Sequence, residues 1–193
     1  MKKAIITIGR EFGSGGRTIA KQLAERLGIP YYDREIIERT AEQTGFSEAF
    51  VREAEKRPTT SFLYNLYFDS QSLPLSDQVY IAESDVIRKV AYEGPCVIVG
   101  RCADYVLRER PGVLRTFIYA PLPDRVRRVK EEYGIETGNY ESYIQKQDKA
   151  RAAYYNHFTS GKWGYYRNFD LSINSALGVE SVLDAIIRLY QGQ

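Results

Sequence analysis

Sulfur and imidazole are scarce in this sequence: its 193 residues include two cysteines, one methionine and one histidine, and a single tryptophan. One histidine, His157, with cysteines only at 96 and 102, supplies too few ligands for a zinc site. The cysteines are six positions apart across an apolar run and a Gly-Arg pair, so they read as buried free thiols rather than a disulfide. A reducing compartment, the cytoplasm, is the expected location. No apolar run approaches the ~20 residues of a membrane-spanning helix. The start, MKKAIITIG, begins like a secretory leader, but its apolar stretch is five residues long before Gly9 and no cleavage pattern follows, so it reads as a first strand. An excess of one charge is also lacking. With 27 basic and 25 acidic residues, net +2, the chain has no global field to draw nucleic acid or a membrane surface. Any anion must be met by local clusters.

What is present is globular: 44% hydrophobic and 27% charged, in a length that suits one domain over residues 1–193. The runs AIITI (4–8), CVIVG (96–100), LRTFIYA (114–120) and DLSIN (170–174) are short, rich in β-branched residues and lack alternation, as strands buried on both faces do. Helical patterns lie between them. Ile19, Ala20, Leu23, Ala24 and Leu27 form one stripe of a helix over 16–28 that Gly28 stops. Residues 33–43, 77–92, 101–109, 123–133 and 178–190 read similarly. Strands alternating with helices predict an α/β fold, a parallel sheet with helices on both faces. Two stretches break the alternation: 56–78, mixing prolines and aromatics, and 134–168, which holds six of the sixteen tyrosines, the tryptophan and the histidine. Both read as excursions from the sheet.

The segment ITIGREFGSGGRTIAKQLAERLG, residues 6–28, joins strand to helix through four glycines in eight residues. Such a loop brings backbone N–H groups and the positive end of a helix dipole to bear on a phosphate chain. The usual pattern, G-x-x-x-x-G-K-[ST], carries a lysine for the β and γ phosphates and a hydroxyl for Mg²⁺. Two registers compete here: one puts Arg17 in the lysine position with Glu11 where the first glycine belongs, the other puts Gly16 there. Elsewhere, Asp33 reads as an N-cap and Arg39 as a solvated helix residue. Arg101 follows the buried strand ending at Gly100, at the carboxyl end where open parallel sheets bind ligands. Asp104 is placed either to face solvent or to pair with Arg108. In PLPDRVRRVKEEYG, Val126 and Val129 are expected to face inward while Arg125, Arg127, Arg128 and Lys130 project. Asp148 and Arg151, at i and i+3, share a helix face.

The loop and its sequel resemble bacterial cytidylate kinases, in which D-G-P-S-G-A-G-K-G-T follows a strand and L-D-[ST]-G-A-x-Y-R comes later. Laid without a gap from Ile8, that pattern matches Gly13, Gly15 and Thr18, places Gly16 on the lysine, and sets Asp33 and Arg39 on the family's Asp and Arg. These fixed offsets favour the second register. Arg101 is similar to the arginine of the family's G-R-D segment, with Cys102 in place of its aspartate, and Asp148 with Arg151 is similar to the D-x-x-R of its lid. A further lid arginine is replaced by Ile144. The resemblance implies a P-loop NTPase fold of the nucleoside monophosphate kinase type. That is a three-layer α/β/α sandwich with about five parallel strands, an acceptor-side excursion over about 45–78 and a helical lid over about 134–168.

It further implies transfer of the γ-phosphoryl of ATP, with Mg²⁺, to a small acceptor, CMP first among them. In this reading Gly13, Ser14, Gly15, Gly16 and Arg17 hold the donor phosphates, and Arg17, or an arginine from a mobile lid, supplies the charge of the absent lysine. Thr18 meets the metal, and Asn174 with its small-residue turn receives adenine. Asp33, Arg39, Arg101 and Asp104 hold the acceptor, and Arg128, Asp148 and Arg151 close over the transferring group. The expected partners are small nucleotides, with no membrane. Stacking of single-stranded nucleic acid on the Tyr- and Lys-rich 140–167 segment is disfavoured by the near-neutral chain. A nucleotide- or phosphate-sensing module that has lost the lysine and with it turnover is the alternative.

Overall fold

A computed structural model describes residues 4–56 and 73–192; the aromatic run SFLYNLYFDSQS falls outside them. Among the described residues five strands form one sheet: β1 (Ile5–Arg10), β2 (Tyr31–Tyr32), β3 (Cys96–Val99), β4 (Val113–Tyr119) and β5 (Leu171–Asn174). Their order is β2-β3-β1-β4-β5, and every pairing is parallel. β1 is therefore central, and its Ile5, Ile6 and Ile8 are fully buried beside Val97, Ile98 and Val99 of β3. Branched side chains suit this position because they pack on both faces of the pleat.

Helices cover both faces. α1 (Gly16–Leu27) and α8 (Val179–Gln191) pack Ile19, Leu23, Val182, Leu183 and Ile186 against Ile6 and Ile8. On the opposite face α2 (Arg34–Thr44) and α4 (Leu75–Glu93) bring Ile36, Val86, Ile87 and Val90 against Ile5 and Ile98. α1 follows its predicted stripe, and truncating a residue as buried as Leu23 to alanine costs about 2–5 kcal/mol. Gly28 ends the helix in a left-handed conformation, φ 64°, from which its N–H reaches the carbonyls of Ala24 and Glu25.

Some elements differ from the sequence reading. Tyr31 and Tyr32, just before the helix expected over 33–43, form an edge strand paired with Val97 and Ile98 that the sequence reading lacks; two residues leave too short a run to read. The first excursion contains α3 (Glu48–Lys56), and the helix expected over 101–109 is the single turn α5 (Ala103–Val106). α6 (Leu122–Glu131) follows β4. The second excursion is built on α7 (Tyr140–Phe158), whose start is capped by the Asn139 side chain accepting the Ser142 N–H at 2.9 Å. Among the described residues, no helix is long and apolar enough to cross a membrane.

Candidate active site

β1 runs out at Arg10, and the chain turns through Gly13 (φ 80°) and Gly15 (φ 76°) before α1 begins at Gly16. Both glycines occupy left-handed backbone that other residues adopt only with strain. The N–H groups of Gly15, Gly16, Arg17 and Thr18 have no acceptor among the described residues. This is the open first turn of a helix, where an anion is favoured by donors and dipole together. The loop is fixed from behind by Ser14 Oγ donating to Glu11 O (2.9 Å) and Ser175 Oγ donating to Ser14 O (2.6 Å). Asn174 accepts the Ala176 N–H at 2.9 Å, so its side chain shapes the turn that lies against the loop. Thr18 is exposed on the first turn of α1.

α6 and α7 close on the loop from the other side. Arg128 Nη1 donates to Gly13 O at 2.7 Å, and its guanidinium lies over Gly15, where a Cβ would come within 3.2 Å of Nε. Arg125 does not project as the sequence pattern suggests. It is buried, paired with Glu11 at 2.9 Å and with Asp148. The second Asp148 oxygen accepts the Phe12 N–H at 2.7 Å. Arg151, one turn along α7, donates to the Arg10 carbonyl at 3.1 Å and lies 5.3 Å from the centre of the Phe12 ring. The shared face of Asp148 and Arg151 is thus confirmed by geometry, with Asp148 anchoring the helix to the loop.

A second cluster forms beyond the ends of β1 and β3. Gly100, Arg101 and Cys102 are consecutive left-handed residues (φ 75°, 50° and 55°), a conformation that costs about 1–3 kcal/mol at each non-glycine. It turns Arg101 inward to Asp33 (carbonyl at 2.7 Å, Oδ1 at 3.3 Å), Glu55 (2.6 Å) and Glu83 (3.6 Å). Burial by itself would raise the Asp33 carboxyl; the charges of Arg10, Arg101 and Arg17 outweigh it and hold the group below its ordinary range. Glu83, fully buried, is pushed well up by burial and by the charge of Glu55, with Arg101 opposing. Tyr154 donates to its other oxygen. Asp104 is likewise raised by burial, and it accepts the Tyr155 hydroxyl at 2.8 Å instead of pairing with Arg108.

A cavity of about 250 Å³ opens here, with Gly9, Arg10, Gly100 and Arg101 on one side and Phe117, Tyr154, Tyr155, Trp163 and Phe169 around the remainder. Two of the expected residues are placed differently. Arg17 is 66% exposed and turned to Asp33, Nε to Oδ2 2.5 Å, which also removes Asp33 from any capping role. Arg39 is outside the cavity, beside Glu93 (3.5 Å) and the Tyr32 ring (5.2 Å), because α2 turns Ile36, Ile37 and Thr40 inward. Conversely, Arg10, Glu55, Glu83 and Tyr154 were not foreseen. For Glu83 a signal exists: it interrupts the apolar stripe of Val79, Ala82, Val86, Ile87 and Val90.

A family model for the cytidylate kinase-like family matches residues 5–177, from the start of β1 past the turn that backs the loop. The chain belongs to that family. Its similarity to a cytidylate kinase of Methanopyrus kandleri is 29% identity over 161 residues, covering 78% of this chain and 74% of the relative. An uncharacterized protein from Eubacterium ventriosum has a crystal structure that matches with a TM-score of 0.75 at 29% identity, covering 99% of this chain and all of that one. Shikimate kinase from Acinetobacter baumannii, solved with shikimate, matches at a TM-score of 0.56 and 15% identity, covering 97% and 92% of the two chains. The fold is the three-layer α/β/α arrangement of P-loop kinases.

Proposed function

We propose that the protein transfers the γ-phosphoryl group of ATP to a small acceptor held in the 250 Å³ cavity, with a nucleoside monophosphate such as CMP as the first candidate. The observation that carries this reading is the adjacency of two parts. The amide turn at Gly15–Thr18 suits a polyphosphate, and the cavity beside it is walled by rings and guanidiniums. In the reaction the bond from the γ phosphorus to its bridging oxygen breaks, a bond to the acceptor oxygen forms, and ADP leaves. An acceptor phosphate is already anionic, so that step needs no base. The protein's contribution is positioning and charge.

The loop amides and Arg128 hold the donor, Arg151 meets the transferring group, and Arg101 exchanges part of its carboxylate shell for the acceptor phosphate. Mg²⁺ fits the Thr18 hydroxyl plus phosphate oxygens, since this ion is commonly bound through few protein ligands, and when bound it neutralises charge on the β and γ oxygens. The test is a coupled assay of ADP release over a panel of nucleoside monophosphates and small hydroxyl compounds, with ATP binding followed by calorimetry. ADP release that depends on one acceptor supports the kinase. A second reading, a nucleotide-binding module without turnover, is favoured by the three carboxylates already on Arg101. Binding of ATP with no turnover on any acceptor would establish it.

A further inference from the structure

Six positions before Gly16, where the usual loop pattern has its first glycine, stands Arg10, so the loop carries arginine at its first position and glycine at its seventh. These two positions face each other. A Cβ added to Gly16 would lie 2.7 Å from Arg10 Cβ and 3.2 Å from Cγ, so the Arg10 stem occupies the space into which a side chain at 16 would grow. Farther out the guanidinium rests on Gly100, where a Cβ would overlap Nη1. Arg10 therefore reaches from the first turn of α1 to the end of β3 and lines the cavity between donor loop and acceptor cluster.

Its surroundings differ from those of the other inward guanidiniums. Arg101 is matched by Asp33, Glu55 and Glu83, and Arg125 by Glu11 and Asp148. Neither Arg10 nor Arg151 has a carboxylate within ion-pair distance among the described residues; Arg151 donates to the Arg10 backbone instead. Burial lowers both guanidiniums from their ordinary value, and the charge of Arg10 lowers Arg151 further, to about 9. Asp33 and Glu55 act on Arg10, and Asp148 on Arg151, only from beyond ion-pair distance. Two neighbouring cations withdrawn from water with no carboxylate in direct contact favour an anion that can meet both.

We propose that Arg10 takes the part of the absent P-loop lysine, its guanidinium gripping the β and γ phosphates of a nucleotide seated on the loop amides. A planar fork of donors matches two phosphate oxygens in a fixed bidentate geometry, where a lysine acts as a point charge on a flexible stem. Arg17, the sequence-adjacent candidate, is turned away to Asp33. This inference rests on the kinase reading above and deepens it.

The test is calorimetry on the full chain with ATP, ADP and AMP in the presence of Mg²⁺, using wild type, Arg10→Met and the exchange variant Arg10→Gly/Gly16→Lys. Arg10→Met keeps the stem and removes the charge. It should weaken ATP and ADP by roughly 10–100-fold, the scale of lost charge-assisted hydrogen bonds, and leave AMP unchanged. The exchange variant should recover most of the preference for ATP over AMP, because a lysine at 16 then grows into the space that Arg10 vacates. Undiminished ATP binding by Arg10→Met overturns the inference, as does an equal loss for all three nucleotides. If Arg10→Met does not fold, the exchange variant decides: retained preference for ATP supports the role, and its loss overturns it. Failure of wild type to bind ATP at all overturns the kinase reading itself, and the inference with it.

Discussion

Tyr154 donates its phenol hydrogen to Glu83 inside the molecule, joining α7 to α4 beside the 250 Å³ cavity. Both side chains are buried, so the bond has no water to replace it. Tyr154→Phe should lower stability by about 1–3 kcal/mol, the penalty for leaving a buried acceptor short of a donor. Urea unfolding measures it, and an unchanged midpoint would remove this bond from the stability of the fold.

Glu83 also predicts a pH dependence. Its carboxyl is raised above the ordinary 4.5 by burial and by Glu55, so the native state holds the proton more tightly than the unfolded chain does. The associated stability is complete below about 4.5 and is lost as pH rises through the raised native value. Glu83→Gln does not titrate. Denaturant unfolding across pH 4–8 should show its stability gaining on wild type as pH increases; parallel curves would contradict the assignment.

Asp148 serves two partners, Arg125 and the Phe12 N–H. Asp148→Ala strips a buried arginine of one counter-charge and leaves a loop amide unpaired. The expected cost is about 3–5 kcal/mol, read from the unfolding midpoint. A change below 1 kcal/mol, on the ~0–1 scale of surface pairs, would mean Glu11 alone compensates.

Arg17→Ala is predicted to be mild. The Arg17–Asp33 pair is two-thirds exposed on the arginine side, and Asp33 keeps Arg101. Stability should change by no more than ~1 kcal/mol. ATP affinity should fall less than in Arg10→Met, and a loss larger than that of Arg10→Met would return the lysine's role to Arg17.

Trp163 is the sole tryptophan and forms part of the cavity wall, 5.5 Å from the Phe117 ring centre. Acceptor binding should therefore alter the protein's indole emission, and Trp163→Phe should abolish the signal. An acceptor that is turned over without any change in emission would place its site elsewhere.

The sheet was largely legible, because β1, β3 and β4 are runs rich in Ile, Val and Leu with most side chains buried, as a two-sided core requires; β5, LSIN, was expected to be buried on both faces but is a partly exposed edge strand. The glycine loop was legible as well, since positive φ at Gly13 and Gly15 leaves a mark in composition. Arg10 was not. Its significance arises from meeting Gly16 and Gly100, and contact across distant segments leaves no local pattern. Arg39 shows the converse: the resemblance assigned it to the site, whereas the residues alone read it as a solvated helix arginine, and the helical period that buries Ile36, Ile37 and Thr40 does turn it outward.

The lid helix touches both halves of the site. Asp148 and Arg151 hold the glycine loop, while Gln147, Tyr154 and Tyr155 of the same rod line the cavity. On the proposed kinase reading, whatever one substrate does to the tilt of that rod, the other inherits. Thermodynamic reciprocity then requires the two affinities to be altered by one common factor, whichever ligand arrives first.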